Sequence, residues 1–194
     1  MAFLDYDNGI VEHSDDIRDT WTVTFTGEGI DEPITMSIQD MIDKYGTETR
    51  VQAAQCTING TGGGLIYQVE VTGVPFSKMV DDLGLNDKGI VCDVTGADGY
   101  SEPVTVERLL ELDALFVYEI NGERLSWEDG YPVRIWYQNR GVPSSIRWTS
   151  ELEVVDTDPS EVKVFEGWQL NETNTLDEAD QGTWFNKPNA GITH

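Results

Sequence analysis

Short strand-like segments recur along this chain, and this pattern limits the folds open to it. Runs rich in β-branched and aromatic residues are predicted to form strands over residues 21–26, 50–57, 68–71, 89–94, 115–120, 133–137 and 145–155. Asn121-Gly122 directly follows one of these runs and is a strong signal for a tight hairpin turn. The sequence therefore predicts a domain dominated by strands.

Three short helices are predicted between the strands. Ser37 is placed to cap the first helix, and Gly46 ends it. A second helix starts at Ser77 and stops at Gly84, and a third spans residues 106–112. The expected fold class is α+β, a strand-rich mixed sheet with short helices packed on it.

Composition and charge exclude several kinds of partner. The chain has 194 residues, of which 39% are hydrophobic, enough for one domain with a sizeable core. Its net charge of -24 argues against binding to nucleic acid or to anionic lipid, because both would be repelled. No run is long enough for a membrane span, and no secretory signal is visible at Met1.

The composition predicts three segments along the chain. Residues 1–20 form an N-terminal extension, residues 21–156 form the domain, and residues 157–194 form an acidic tail. The tail keeps the aromatic residues Phe165, Trp168, Trp184 and Phe185. These aromatics suggest a segment that wraps over the domain.

One cysteine lies in an unusual setting. No charged side chain occurs between Val51 and Val69, and Cys56 within this stretch is followed by Asn59 and a run of glycines. A thiolate is a soft ligand for a redox metal, and backbone amides of a glycine loop approach a cofactor closely. A purely structural cysteine is the alternative, and this is the role expected for Cys92 in its apolar strand.

A basic region stands out in the acidic chain. Residues 130–150 contain no Asp or Glu but hold Arg134, Arg140 and Arg147. Arginine binds phosphate through a planar fork, so an anion site is one interpretation; ion pairs with acids elsewhere are the other. Strand alternation places Arg134 and Trp136 on one face.

A third polar group follows a predicted strand. In Asp98-Gly99-Tyr100-Ser101, a phenol held on a loop can donate a hydrogen bond or relay a proton. An Asp-Gly turn with an incidental tyrosine is the alternative.

Taken together, these segments resemble the sulfite oxidase-like molybdopterin-binding oxidoreductase family. The resembling pieces are QCTINGTGGGLIYQVEVTGVPF, GADGYSEPV, ALFVYEINGERLSWEDGYPVRIWY and SIRWTSELEVVD, in that order. The late FNKPNAGI also looks like the segment that trails this domain in bacterial relatives. The resemblance implies a sulfite oxidase-like fold and a molybdenum-molybdopterin cofactor.

The resemblance also implies roles for individual residues. Cys56 matches the metal-binding cysteine, and Tyr100 matches the active-site tyrosine of the sulfite-oxidising members. The residues implied to bind the cofactor are Asn59, Gly62, Gly63, Gly64, Asp98, Arg134, Arg140 and Arg147. At position 147 the family usually shows lysine.

The implied activity is two-electron oxygen-atom or oxide chemistry on a small substrate, which is not necessarily sulfite. The chain carries no haem motif, so a separate electron-transfer partner is expected. Family members often work outside the cytoplasm, and the resemblance therefore implies an extracytoplasmic or periplasmic location.

Two other functions stay open. The family's Arg-Asn-His segment is represented here by Asp7-Asn8-Gly9, and His13 is out of register with it. Pro143 and Ser144 stand where the family often has a basic residue. These differences allow a degenerate, cofactor-free binding or structural module of the same fold, and the tail aromatics allow an extracellular sugar- or protein-binding domain.

Overall fold

The structure, a computed structural model, describes residues 12–13, 15–55, 66–137 and 145–158, which fold into two five-stranded sheets. The first sheet contains β1 (Thr22–Thr26), β2 (Ile34–Ser37), β5 (Val91–Gly96), β6 (Ser101–Thr105) and β10 (Thr149–Val155). The second contains β3 (Glu48–Gln55), β4 (Ile66–Pro75), β7 (Leu115–Ile120), β8 (Glu123–Arg124) and β9 (Arg134–Trp136). The predicted α+β class is confirmed.

The strand order brings distant parts of the chain together. The first sheet runs β2-β1-β10-β5-β6, and the second runs β3-β4-β7-β8, with β9 also paired to β7. β1 and β10 are parallel, and the other strand pairs of the described residues are antiparallel. The parallel pair places the residues that precede β10 beside the start of the domain.

Three strands were not predicted from the sequence. β2 is only four residues long and β8 only two, too short for a clear alternation. β6 contains Pro103, which normally argues against a strand. β6 lies at the edge of its sheet, where the missing N–H of proline is tolerated.

The first and third helices follow the sequence signals, but the second differs. α1 spans Ile38–Tyr45 and α3 spans Val106–Glu111. The helix predicted from Ser77 is instead a 3-10 turn at Phe76–Lys78 followed by α2 at Val80–Leu83, and no side chain caps the start of either element. No helix among the described residues is long and apolar enough to cross a membrane.

The cap of α1 gives a first testable prediction. The Ser37 hydroxyl accepts from the Asp40 N–H at 3.0 Å, and the Asp40 carboxylate accepts from the Ser37 N–H. Ser37→Ala is expected to lower the free energy of unfolding by about 1 kcal/mol in urea denaturation. Ser77→Ala is the control, since Ser77 makes no capping bond, and should change stability by less than about 0.5 kcal/mol. Equal losses in the two variants would contradict the cap.

The main core lies between the two sheets. This inter-sheet core includes Val23, Phe25, Cys92, Val94, Phe116, Ile135 and Leu152. The rings of Phe25 and Phe116 meet edge to face across it, with centroids 5.9 Å apart. Cys92 is fully buried there, and burial raises the pKa of its thiol. Cys92 therefore stays protonated and acts as the small apolar residue that the sequence predicted.

The second sheet is apolar on both faces. Along β7, Phe116 and Tyr118 point into the inter-sheet core, whereas Leu115 and Val117 point away from it. The face turned away carries the outer cluster, made of Val69, Val71, Leu115, Val117, Leu125, Tyr131 and Trp136. This outer face is therefore also buried, and it carries one part of the candidate site.

Candidate active site

The outer face of the second sheet carries two buried polar side chains. Arg134 lies opposite Val117 in the pairing of β9 with β7, and Gln52 lies opposite Val69 in the pairing of β3 with β4. Residues opposite each other in a ladder share a face, so both side chains belong to the outer face. Each is only 5% exposed. The predicted common face of Arg134 and Trp136 is confirmed, because Trp136 belongs to the outer cluster.

The guanidinium of Arg134 connects three segments. Its Nε donates to Ser145 Oγ at 3.0 Å, and its Nη2 donates to the Ser145 carbonyl at 3.1 Å. Its Nη1 donates to the Asp129 carbonyl at 3.0 Å. The same guanidinium lies 4.9 Å from the centre of the Trp136 ring. Arg134 thus holds β9, the loop before it and the segment before β10 together, and places a buried positive charge where they meet.

Arg147 adds a second, half-buried guanidinium. Its Nη1 donates to the Glu128 carbonyl at 2.9 Å, and its guanidinium carbon lies 4.5 Å from the centre of the Trp148 ring. Gly130 makes this approach possible, because a Cβ there would lie 2.8 Å from the Arg147 Cβ. The loop from Glu128 to Gly130 therefore contacts Arg147 as well as Arg134.

The loop that carries Asp98 and Tyr100 lies against the same segment. The Asp98 carboxylate accepts from the Tyr100 N–H at 3.0 Å and so forms the turn, as the simpler interpretation of this motif expects. The Ala97 N–H donates to the Trp148 carbonyl at 2.9 Å. Tyr100 is half-buried against the inter-sheet core. The turn interpretation and the site interpretation are compatible, since the turn fixes Tyr100 beside the segment that contains Arg147.

The proposed metal ligand falls outside the described residues. Cys56, Asn59, Gly62, Gly63, Gly64 and Arg140 all lie there. The strands that flank the cysteine stretch are paired at Gln55 and Ile66. The structure places four of the predicted site residues, Asp98, Tyr100, Arg134 and Arg147, on connected segments. The site roles of all ten residues stay predictions.

Sequence reasoning missed an aromatic group at this position. The rings of Trp127 and Trp148 lie 5.7 Å apart, and the His13 ring contacts Trp127 edge-on at 5.7 Å. Trp148 is buried and has a φ of 51°, a left-handed conformation that is uncommon for a bulky residue. No sequence signal predicts such a conformation; the sequence indicated only that Arg147, the residue before Trp148, belongs to a basic region.

The sequence analysis also missed a contact that holds the N-terminal segment against the loop before β9. The Tyr131 hydroxyl donates to Asp16 Oδ1 at 2.9 Å and accepts from the Ile17 N–H at 2.9 Å. Burial raises the pKa of Tyr131, so the phenol stays neutral. Hydrogen bonds from Arg18 hold the pKa of Asp16 well below its usual range. The ionised Asp16 therefore stabilises the contact between this segment and the loop.

This contact predicts a pH-dependent effect of Asp16→Asn. The lowered pKa of Asp16 means that its contribution is present above about pH 4 and is lost as the pH falls through the folded-state pKa. Because the side chain is 52% exposed, the loss at pH 7 is expected to stay below about 1 kcal/mol. Urea denaturation at pH 7 and at successively lower pH values below 3 measures it, because the loss should shrink as the pH approaches the folded-state pKa. Asp19→Asn, an exposed carboxylate nearby, is the control; a loss that does not shrink in acid would contradict the assignment.

The described donors fit an anionic, polar cofactor. The Arg134 and Arg147 bonds described above go to carbonyls and a hydroxyl. Both side-chain amide atoms of Gln52 and the indole N–H of Trp148 are buried without a partner in the described part of the chain. Buried polar groups are nearly always hydrogen-bonded in proteins. The Trp148 N–H beside the Arg147 guanidinium fits an anionic ligand with acceptor atoms, whereas Gln52 lies on β3, which β4 and β7 separate from β9.

Comparisons with known proteins identify first the fold of this chain and then its family. The fold is shared with the crystal structure of the sulfane dehydrogenase SoxCD from Paracoccus pantotrophus, with a TM-score of 0.67 and 20% identity over 86% of this chain and 45% of that one. The present chain therefore spans less than half the length of that structure. The family model for the oxidoreductase molybdopterin binding domain matches residues 8–163, and the chain belongs to this family. No curated protein matches it.

Proposed function

We propose that this chain is a molybdopterin-dependent oxidoreductase in which the Cys56 thiolate binds the metal. The observation that carries the proposal is the family match over residues 8–163, which includes Cys56 and the glycine stretch after it. When bound, the cofactor would supply two-electron oxygen-atom or oxide chemistry on a small substrate. The substrate is not necessarily sulfite.

In this proposal, some residues of the chain bind the cofactor and others fix the walls of the site. Backbone amides around Asn59, Gly62, Gly63 and Gly64 would approach the cofactor closely. Arg140 and Arg147 would bind its anionic part, because a guanidinium offers phosphate two parallel hydrogen bonds. Asp98 fixes, through its bond to the Tyr100 N–H, the loop that contacts the segment of Arg147 and Trp148.

Arg134 has a positioning role in this proposal. Its three hydrogen bonds to Ser145 and Asp129 fix the walls of the site. Its charge favours a bound anion even where it makes no direct contact, because its surroundings are buried and screen it weakly.

Tyr100 would act on the substrate. Its phenol can donate a hydrogen bond to a substrate oxygen or move a proton, and the Asp98 turn fixes the backbone from which it projects. Electrons would leave to a redox partner, as the resemblance to the family implies. We infer an extracytoplasmic location from the family alone.

The test is the metal and pterin content of the full chain. Protein purified from a host that makes the molybdenum cofactor is expected to contain molybdenum and pterin in equal amounts, measured by mass spectrometry of the metal and fluorescence of the oxidised pterin. Circular dichroism of the same sample checks the fold. Folded protein with neither component would contradict the proposal and support the cofactor-free module of the same fold.

A further inference from the structure

We propose that the indole N–H of Trp148 is a hydrogen-bond donor to the bound cofactor. This role goes beyond the cysteine, the glycine loop and the arginines, and it rests on the proposed function. It would make Trp148 a cofactor-binding residue at the start of β10.

The first observation is a buried donor without an acceptor. Trp148 is 5% exposed, and its Nε1 has no partner within the described residues. The neighbouring Trp21 shows the usual arrangement, because its Nε1 donates to the Thr149 carbonyl at 2.9 Å. A buried N–H left without a partner destabilises the chain, and a ligand that brings the acceptor removes this penalty.

The second observation is the backbone of the same residue. Trp148 has a φ of 51°, and such conformations persist only where the surroundings determine them. Here the Ala97 N–H donates to the Trp148 carbonyl at 2.9 Å, and the Thr149 N–H donates to the Val133 carbonyl at 3.1 Å. Two separate segments therefore hold the residue in an unfavourable conformation, and strained residues of this kind cluster at ligand sites.

The third observation is the charge next to the ring. The Arg147 guanidinium lies over the indole at 4.5 Å, and Trp127 borders the ring at 5.7 Å. A guanidinium beside a buried donor favours an electron-rich acceptor, because both groups then interact with the same negative charge. A pterin heteroatom or a phosphate oxygen of the cofactor has this chemistry.

The experiment removes the N–H with little change in shape. In the full chain, Trp148 is replaced by phenylalanine and, separately, by β-(3-benzothienyl)alanine, in which sulfur takes the place of the N–H group. Pterin release from the purified protein is followed by fluorescence, and the melting temperature of the cofactor-free protein is measured alongside. Trp21→Phe is the matched control, since its N–H already has a partner.

We expect both Trp148 variants to release pterin about tenfold faster, which corresponds to the loss of one hydrogen bond. The cofactor-free benzothienyl variant should melt at the wild-type temperature or above it, because an unpaired donor has been removed. Trp21→Phe should show the reverse pattern, with a lower melting temperature and unchanged release, because the buried Thr149 carbonyl loses its donor.

Two results would overturn the inference. Unchanged release from the benzothienyl variant would show that the N–H does not contact the cofactor, and this holds even if the phenylalanine variant fails to fold. A wild-type protein without cofactor would overturn the proposed function as well, so the two failures are distinguishable.

Discussion

Replacing Arg134 by methionine is expected to lower the free energy of unfolding by about 3 to 5 kcal/mol. The substitution removes the hydrogen bonds that the guanidinium donates to Ser145 and Asp129. Methionine fills a similar volume but offers no donor, so the buried Ser145 hydroxyl and carbonyl and the part-buried Asp129 carbonyl each lose an incoming donor. We expect this loss of stability to be the largest among the proposed variants, because these hydrogen bonds join separate segments of the chain.

Urea denaturation at neutral pH measures this loss. Arg124→Met is the matched control, because Arg124 is exposed and stacks on the Tyr131 ring at 4.5 Å. The control should lose less than about 1 kcal/mol. Similar losses for Arg134→Met and Arg124→Met would show that Arg134 does not hold the site walls.

Gly130→Ala is expected to cost about 2 to 4 kcal/mol. Gly130 has a φ of 101°, which side chains rarely adopt, and the added Cβ would lie within 3.0 Å of the Arg147 Cα, Cβ and Cγ. These are the near atoms of Arg147, so the clash cannot be relieved at the flexible end of the side chain. The segment with Arg147 has to move, and cofactor retention should fall together with stability.

Gly122→Ala separates backbone strain from the steric clash with Arg147. Gly122 also has a positive φ, of 74°, but no atom lies within 4 Å of a Cβ built there. This variant should lose about 1 kcal/mol from backbone strain alone and keep the cofactor. If Gly130→Ala lost no more than Gly122→Ala, the close packing of the loop on Arg147 would be contradicted.

The parts of the fold that depend on local signals were predictable from the sequence. Ser37 and Gly46 bound α1 as expected, since capping involves only neighbouring residues. Asn121 and Gly122 both have positive φ, of 53° and 74°, as a two-residue hairpin turn requires. The shared face of Arg134 and Trp136 also followed, because side chains alternate along every strand.

The parts that depend on distant contacts were not predictable. The parallel pairing of β1 with β10 joins the two ends of the domain, and nothing in either strand specifies its partner. β6 was not predicted because it contains Pro103. A strand accepts a proline only at the edge of a sheet, and the local sequence does not show that β6 lies there.

The same limit applied to the site. The sequence predicted an anion or an acid as the partner of Arg134 and gave no sign of its hydrogen bonds to Ser145 and to the Asp129 carbonyl. The left-handed Trp148 and its unpaired N–H arise from contacts with the loop after β5 and with the strand region around Val133. Only the folded chain reveals such contacts.

The central claim is that Cys56 binds the metal of a molybdopterin cofactor, and molybdenum K-edge X-ray absorption tests it most directly. The full chain, Cys56→Ser and the control Cys92→Ala would be purified from a cofactor-competent host. We predict that Cys56→Ser, with its fold intact, shows a smaller sulfur contribution around molybdenum or loses the metal, whereas Cys92→Ala matches the wild type. A Cys56→Ser protein with the metal content and sulfur shell of the wild type would contradict the claim.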